Sequence, residues 1–174
     1  MRKVEVIPYK EEWSALFLEE SEKIKEVYGD EIVSIYHIGS TAIPNIYAKP
    51  VIDILVEVMD IDRIDLYNKR MEQLNYEARG ENGIPNRRFF MKGGNNRTHH
   101  VHIFEKGDDE IKRHLVFRDY MIAHPEEALQ YSQLKQQLAK QFPDNMEDYI
   151  EGKDDYIKSI DQKAAEWVKG IDLV

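Results

Sequence analysis

The chain of 174 residues contains no cysteine, which excludes disulfide bonds and thiolate metal ligands. It also lacks any apolar run near the roughly 20 residues that a transmembrane helix needs, so we expect no membrane partner. Its first residues, MRKVEVIPYKEEW, lack the long apolar core of a signal peptide. Together these absences predict a cytoplasmic protein.

Positive charge is scarce as well, because 24 Lys and Arg stand against 33 Asp and Glu, a net charge of −9. We therefore expect no long nucleic acid as a partner, since such binding rests largely on neutralising phosphates. Residues 79–118 differ from the rest, with nine Lys and Arg against five Asp and Glu, a net charge of +4. This segment is either ordinary surface variation or the part that faces a small anionic ligand such as a nucleotide.

Hydrophobic periodicity predicts a mixed set of strands and helices. Strands are expected at 4–7, 32–38, 51–58, 87–92 and 98–104, and helices at 13–27, 62–74, 110–123, from Pro125, and at 146–169. The predicted fold class is α+β, with a small mixed sheet, helices packed on it and a helical C-terminal part. We expect one domain over 1–174, sheet-bearing to about 106 and helical from 107. The apolar stripe of the last helix, which includes Ile150, would pack either in the core of the protein or in the interface of a homodimer.

The most informative segment is IYHIGSTAIPNIYAKPVIDILVEV, residues 35–58. A strand that ends in Gly39 and Ser40 can turn sharply and offer backbone N–H groups to a phosphate, with Ser40 or Thr41 as a cap. The alternative is a plain strand-to-loop turn. Asp53 lies in an apolar strand, where an unpaired carboxylate is costly. It is either paired with Lys49 or an arginine, or it is a ligand of a divalent metal.

A second candidate is the pair His100 and His102, which alternation places on one face of a strand. Both rings could approach one ion or one phosphate, or they could form a half-buried hydrogen-bonded pair. Arg87 and Arg88 precede the same hairpin, and because they are adjacent only one of them can face the cleft. That arginine is a candidate clamp for a phosphate, since its guanidinium pairs two oxygens at once.

These motifs together resemble those of the GrpB family, on the stretches HIGSTAIPNIYAKPVIDILVEV, HHVHIF and HLVFRDYMIAHPEEALQYSQLKQQLA. The resemblance extends over nearly the whole chain. The family is placed in the nucleotidyltransferase superfamily, with DNA polymerase β-like folds, so the resemblance implies a nucleotidyltransferase-like fold. In active members of that superfamily a Gly-Ser turn cradles the nucleotide phosphates, and three acids on two strands hold two divalent ions.

Carried over residue by residue, Gly39 and Ser40 match the turn and Asp53 matches the first acid. Leu55 stands where the second acid is expected, and the third position falls on His102. The resemblance therefore implies at most one Mg²⁺ or Mn²⁺, held by Asp53 and His102, with His100 as general base or phosphate ligand. The missing acids leave open whether the protein is an enzyme.

Three hypotheses follow from the sequence. The first is a cleft built by Gly39, Ser40, Lys49, Asp53, His100 and His102 that binds a nucleotide or another phosphorylated small molecule. Metal-dependent nucleotidyl transfer to an acceptor would accompany that binding. The second is a non-catalytic nucleotide- or phosphate-binding module on the same fold. The third is a protein-interaction module that works through its acidic surface and its last helix.

Overall fold

The computed structural model describes residues 2–172. Its helices and strands are α1 (Glu12–Tyr28), β1 (Ile32–Ile38), β2 (Ile52–Val58), α2 (Asn68–Gln73), β3 (Tyr76–Ala78), β4 (Arg88–Lys92), β5 (His99–Glu105), α3 (Asp109–Ala123), α4 (Pro125–Gln141) and α5 (Met146–Asp172). They belong to two units. The sheet unit comprises Glu11–Ile38 and Val51–Ile111, and the helical unit comprises Met1–Lys10, Gly39–Pro50 and Lys112–Val174.

Among residues 2–172, five strands form one mixed sheet in the order β1-β2-β5-β4-β3. The central pair, β2 and β5, is parallel, and the other neighbours are antiparallel. The predicted hairpin between β4 and β5 is confirmed, and glycine is needed in its turn. Gly93 has φ 101°, and a Cβ there would collide with the carbonyl group of Asn96.

The two faces of the sheet differ because side chains alternate along each strand. One face carries aliphatic residues that are almost fully buried, namely Ile52, Ile54, Val56, Val101 and Ile103. Helix α1 contacts β1 and β2. The other face carries Asp53 and Leu55 from β2, with His100 and His102 beside them in register on β5. The predicted alternation along these two strands is therefore confirmed.

A buried carboxylate links α1 to the strands of the sheet unit. Glu20 is 3% exposed and accepts hydrogen bonds from Tyr76 Oη at 2.7 Å and from Lys92 Nζ at 2.8 Å. His99 Nε2 lies 3.8 Å from its second oxygen. Burial alone would raise the pKa of Glu20, but the hydrogen bonds from Lys92 and Tyr76 outweigh burial and lower it.

The helical unit has its own apolar core. Helices α3, α4 and α5 contribute most of it, through Tyr120, Met121, Ala128, Tyr131, Ile160 and Ala164, and the loop after β1 adds Ile43 and Ile46. A second cluster joins Val4 to Leu138 of α4 and Tyr149 of α5. Pro125 occupies the first turn of α4, as predicted, where its missing N–H costs no helical hydrogen bond.

Four details of the predicted elements were wrong. Residues 4–7 form no strand, and only Ile7 makes an isolated bridge, with Ala48. The helix predicted at 62–74 is a 3-10 helix at Ile61–Tyr67 followed by α2, and its buried Ile61 and Ile64 fit the three-residue turn. The strand β3 was missed because three residues show no alternation. Ile150 is 47% exposed, since the neighbouring Tyr149 takes the buried position.

Among the described helices, none is both long and apolar enough to cross a bilayer. The homodimer and the single domain over 1–174 stay predictions.

Candidate functional site

Asp53 is the centre of a polar cluster in the sheet unit. It lies in β2, paired with Ile38 of β1 on one side and with His100 of β5 on the other. Its Oδ1 is 3.3 Å from His100 Nδ1 and 3.2 Å from His102 Nε2. The three side chains are 27%, 17% and 13% exposed, so the cluster is partly open to solvent. The strand faces predicted to carry these residues do bring them together.

Two arginines determine which ring nitrogens carry the protons. Arg97 Nη1 lies 2.8 Å from His100 Nε2, and Arg87 Nη1 lies 3.4 Å from His102 Nδ1. A guanidinium only donates, so both of these ring nitrogens must accept. The opposite nitrogen of each ring therefore carries the hydrogen and donates it to Asp53 Oδ1. Both imidazoles are neutral in this arrangement, and the single carboxylate receives two N–H donors.

The pKa values agree with this pattern of charge. Burial alone would raise the pKa of Asp53, but the hydrogen bonds from His100 and His102 outweigh burial and lower it strongly. Burial lowers the pKa of His100 and outweighs the opposing effect of its hydrogen bond to Asp53. The resting cluster is thus an ionised carboxylate beside a neutral imidazole.

Phe89 of β4 forms the apolar wall of the cluster. Its ring centroid is 5.3 Å from that of His100 and 5.1 Å from that of His102. The guanidinium carbon of Arg87 stacks 4.7 Å from the same ring. Arg87 is 6% exposed, and its Nε and Nη2 donate to backbone carbonyl groups in the loop before β4. The Asp53 cluster, as we call it, consists of Asp53, His100, His102, Arg87, Arg97 and Phe89.

Arg88 does not join this cluster. Its Nε donates to Asp65 Oδ1 at 2.8 Å, and adjacent residues of a strand point to opposite faces. Sequence reasoning missed Arg97 and Phe89. Arg97 stands three residues before His100 in the predicted turn, and that spacing was the available signal. Phe89 lies two residues after Arg87, so in an extended strand it shares the face of Arg87. This placement could also have been predicted from the sequence.

The other predicted phosphate ligands lie in the helical unit. Gly39 has φ 73°, a left-handed conformation that favours glycine, and Ser40–Ala42 form one 3-10 turn. Thr41 is buried, at 2% exposed. Lys49 Nζ is 3.8 Å from Met146 Sδ and 5.6 Å from the ring centre of Tyr149. Phosphate binding by Gly39, Ser40, Thr41 and Lys49 stays a prediction.

The donor set of the cluster does not suit the two-ion arrangement of the superfamily. Mg²⁺ and Mn²⁺ prefer oxygen ligands, and two-ion sites share bridging carboxylates. Leu55, in the place of the second acid, is 0% exposed. Among residues 2–172, no three or more His, Asp or Glu side chains are grouped to hold a metal. One ion at Asp53 and His102 stays a prediction, and it would require the proton on His102 Nε2 to move to Nδ1, which faces Arg87.

Known proteins resemble this chain over most of its length. The sequence model of the family described as GrpB protein matches residues 3–163. The UPF0157 protein YqkA of Bacillus subtilis (strain 168) is 53% identical over 169 residues, which are 97% of this chain and 49% of that protein. The chain therefore spans about half the length of that relative.

Two solved structures resemble the fold to different degrees. GrpB from Enterococcus faecalis superposes with a TM-score of 0.91 at 41% identity, covering 94% of this chain and 99% of that chain. The Cid1 poly(U) polymerase, solved with MgGTP bound, gives a TM-score of 0.53 at 14% identity, covering 77% of this chain and 44% of that chain. The second likeness shows the fold alone, and it confirms the predicted nucleotidyltransferase-like α+β fold.

Proposed function

Because this chain belongs to the GrpB family, we propose that it binds a nucleotide or another phosphorylated small molecule at the Asp53 cluster. The observation that carries the proposal is the pair of arginines, Arg87 and Arg97, each donating toward a histidine of an Asp-His pair. Guanidinium groups pair readily with phosphate oxygens. The likeness in fold to a polymerase solved with MgGTP supports a nucleotide as the first ligand class to test.

Ligand binding and proton transfer are linked in this arrangement. Arg97 donates to His100 Nε2, the nitrogen that an Asp-oriented imidazole uses as a base. A phosphate that draws the guanidinium of Arg97 to itself leaves this nitrogen able to accept a proton. Asp53, hydrogen-bonded to His100 Nδ1, holds the ring in place and stabilises the imidazolium that forms.

The reaction class proposed is nucleotidyl transfer to an acceptor hydroxyl. The hydroxyl oxygen attacks the α-phosphorus of the nucleotide, its proton passes to His100 Nε2, and the bond from the α-phosphorus to the leaving pyrophosphate breaks. Arg87 and Arg97 would offset the negative charge on the phosphate oxygens. The acceptor and the base are not specified by these residues. We take the protein to act in the cytoplasm, where nucleotides are abundant.

A second candidate function is binding without turnover. The observation that favours it is Leu55, fully buried in the place of the second acid, which leaves one carboxylate in the cluster. In this case the same arginines hold the phosphorylated ligand, and its binding rather than its conversion is the output. The two functions share the ligand class and differ only in chemistry.

The experiment that tests the proposal is a thermal-shift panel. It contains the four ribonucleoside triphosphates, CoA-type compounds and inorganic phosphates, each with Mg²⁺, Mn²⁺ or EDTA. A ligand at 100 times its dissociation constant adds about 2.7 kcal/mol to the free energy of unfolding, which raises the melting temperature visibly. Arg87→Gln should reduce the shift, whereas the matched control Arg88→Gln should not, because Arg88 pairs with Asp65 instead.

Each outcome of the panel separates the candidate functions. A shift with one nucleotide that is lost in Asp53→Asn and Arg87→Gln supports the proposed site and names the substrate for turnover assays. Release of pyrophosphate that disappears in His100→Asn supports transfer, and a shift without turnover supports the binding module. A shift that requires Mg²⁺ or Mn²⁺ supports the predicted ion at Asp53. No shift with any compound contradicts both functions and favours the interaction module.

A further inference from the structure

The helical unit contains a lysine in an unusual place. Lys135, on α4, is 1% exposed, and its Nζ has no hydrogen-bond partner among the described residues. Its Nζ lies 4.4 Å from the ring centre of Tyr131, a contact that compensates only part of its lost hydration. A buried amino group without a hydrogen-bond partner is costly whether it is neutral or charged. Such a group requires an explanation beyond packing.

Two further lysines approach the same place. Lys153 Nζ lies 4.9 Å from the ring centre of Tyr149, and Lys49 Nζ lies 5.6 Å from it. Both lysines are partly exposed, unlike Lys135. Tyr149 itself is 0% exposed, and its hydroxyl also has no hydrogen-bond partner among residues 2–172. Two buried polar atoms that need partners thus lie near a trio of cations from the loop after β1 and from α4 and α5.

The positive charges around Lys135 make its protonated form still less favourable. Burial lowers the pKa of Lys135 well below its ordinary value, and the charges of Lys153 and Lys49 lower it further. Without a ligand the side chain therefore favours the neutral amine, whereas an anion bound beside it would favour the ammonium. Burial also raises the pKa of the Tyr149 phenol, which keeps its hydroxyl protonated and able to donate. Lys135 Nζ and Tyr149 Oη are thus two buried donors without acceptors among residues 2–172, and an anion could accept from both.

We infer that Lys49, Lys135, Lys153 and Tyr149 form a binding site for a phosphate group. A phosphate carries several acceptor oxygens, so one group can receive hydrogen bonds from three ammonium groups and a phenol at once. Lys135 forms the buried end of the site, and the partly exposed Lys49 and Lys153 flank its entrance. The burial of Lys135 favours a compact anion over an acidic protein surface. No residue of the Asp53 cluster takes part, so the site does not depend on the proposed function.

The test measures binding of inorganic phosphate, pyrophosphate and tripolyphosphate by calorimetry and thermal shift, at constant ionic strength. Sodium sulfate and sodium citrate at equal ionic strength distinguish a phosphate site from a general anion effect. Lys135→Met keeps the length of the side chain and removes its charge. We expect this variant to bind the best phosphate probe about 10- to 100-fold more weakly, the loss typical of one charge-assisted hydrogen bond. Lys153→Gln and Tyr149→Phe should weaken binding as well.

The matched control is Lys158→Gln, on the same helix α5. Lys158 is 71% exposed and pairs with Asp154 at the surface, so its loss should leave phosphate binding unchanged. A second readout concerns folding without ligand. Lys135→Met should melt at the wild-type temperature or above it, because the substitution removes an amine that is buried without an acceptor. A variant that folds well but no longer responds to phosphate is the expected result.

Several results would overturn the site. Unchanged phosphate affinity in Lys135→Met and Lys153→Gln would do so, as would an equal loss in Lys158→Gln. A stabilisation by citrate or sulfate as large as that by the phosphates would show a general anion effect. Asp53→Asn, included for comparison, should bind the inorganic probes like the wild type. A loss there as large as in Lys135→Met would contradict the assignment to the lysines and Tyr149, whatever the nucleotide panel shows.

Discussion

Glu20 offers the sharpest test of how the sheet unit is held together. Its side chain is 4% exposed and accepts from Tyr76 Oη at 2.7 Å and from Lys92 Nζ, itself 18% exposed, at 2.8 Å. Glu20→Ala leaves that ammonium and that phenol buried without their acceptor. Removing one partner of a buried ion pair costs about 3–5 kcal/mol. For a chain of this length, such a loss corresponds to a fall in melting temperature of roughly 6–20 °C.

The assay is equilibrium unfolding in urea, with the midpoint compared at an unchanged slope. Glu19→Ala is the matched control, because Glu19 is the adjacent residue of α1, has the same side chain and is exposed. Its effect should stay within about 0.5 kcal/mol. Glu20→Gln, which keeps one acceptor oxygen but not the charge, should lose about 1–3 kcal/mol. If Glu20→Ala loses less than about 1 kcal/mol, the network is not the structural link we describe.

Substitutions at three more positions test the faces of the sheet. Burial lowers the pKa of His99 against the effect of Glu20, so the unfolded state takes up a proton first. The free energy of unfolding should therefore fall as the pH drops below 6.5, and His99→Gln should flatten part of that fall in urea titrations at pH 5–7. Phe89→Ala, at a ring 6% exposed, should cost about 3–5 kcal/mol and shift the ring-proton signals of His100 in NMR spectra. Leu55→Asp should lower the urea midpoint far more than Leu55→Met, which should cost less than about 1.5 kcal/mol.

The central strands and the residues they display were predictable because they depend on local pattern. The alternation of β2 puts Asp53 and Leu55 on the face opposite to Ile52 and Ile54, and the structure has them there. The bounds of β1 agree residue by residue, because Gly39 ends an otherwise unbroken β-type run. Helix α1 was equally predictable, because its apolar residues recur with a helical period and a glycine follows it directly. In each case a short stretch of sequence contains all the information that the prediction needs.

The partners of these residues were not predictable, because they depend on pairing between distant strands. Asp53 meets His100 and His102 only because β2 and β5 lie side by side in parallel, a pairing that no local pattern states. The role of Arg97 follows from the tight turn that returns the chain onto β5. Lys135 is the clearest example of a position that the sequence does not predict. A lysine in a helix is expected at the surface, and only tertiary packing buries this one.

Leu55 connects the packing of the sheet to the chemistry of the cluster. It shares a face with Asp53 and stands in register with His102, yet it is 0% exposed, as is Phe104 two residues further along β5. The polar cluster therefore ends at Asp53 and His102, and apolar packing begins at the next position of each strand. A carboxylate at position 55 would be buried in that packing, where an unpaired charge is strongly unfavourable. The charge of Asp53 is instead balanced by two N–H donors and by the arginines behind them. Any catalysis by these residues would thus rest on proton transfer at His100 and on guanidinium charge, and not on a pair of bridged ions.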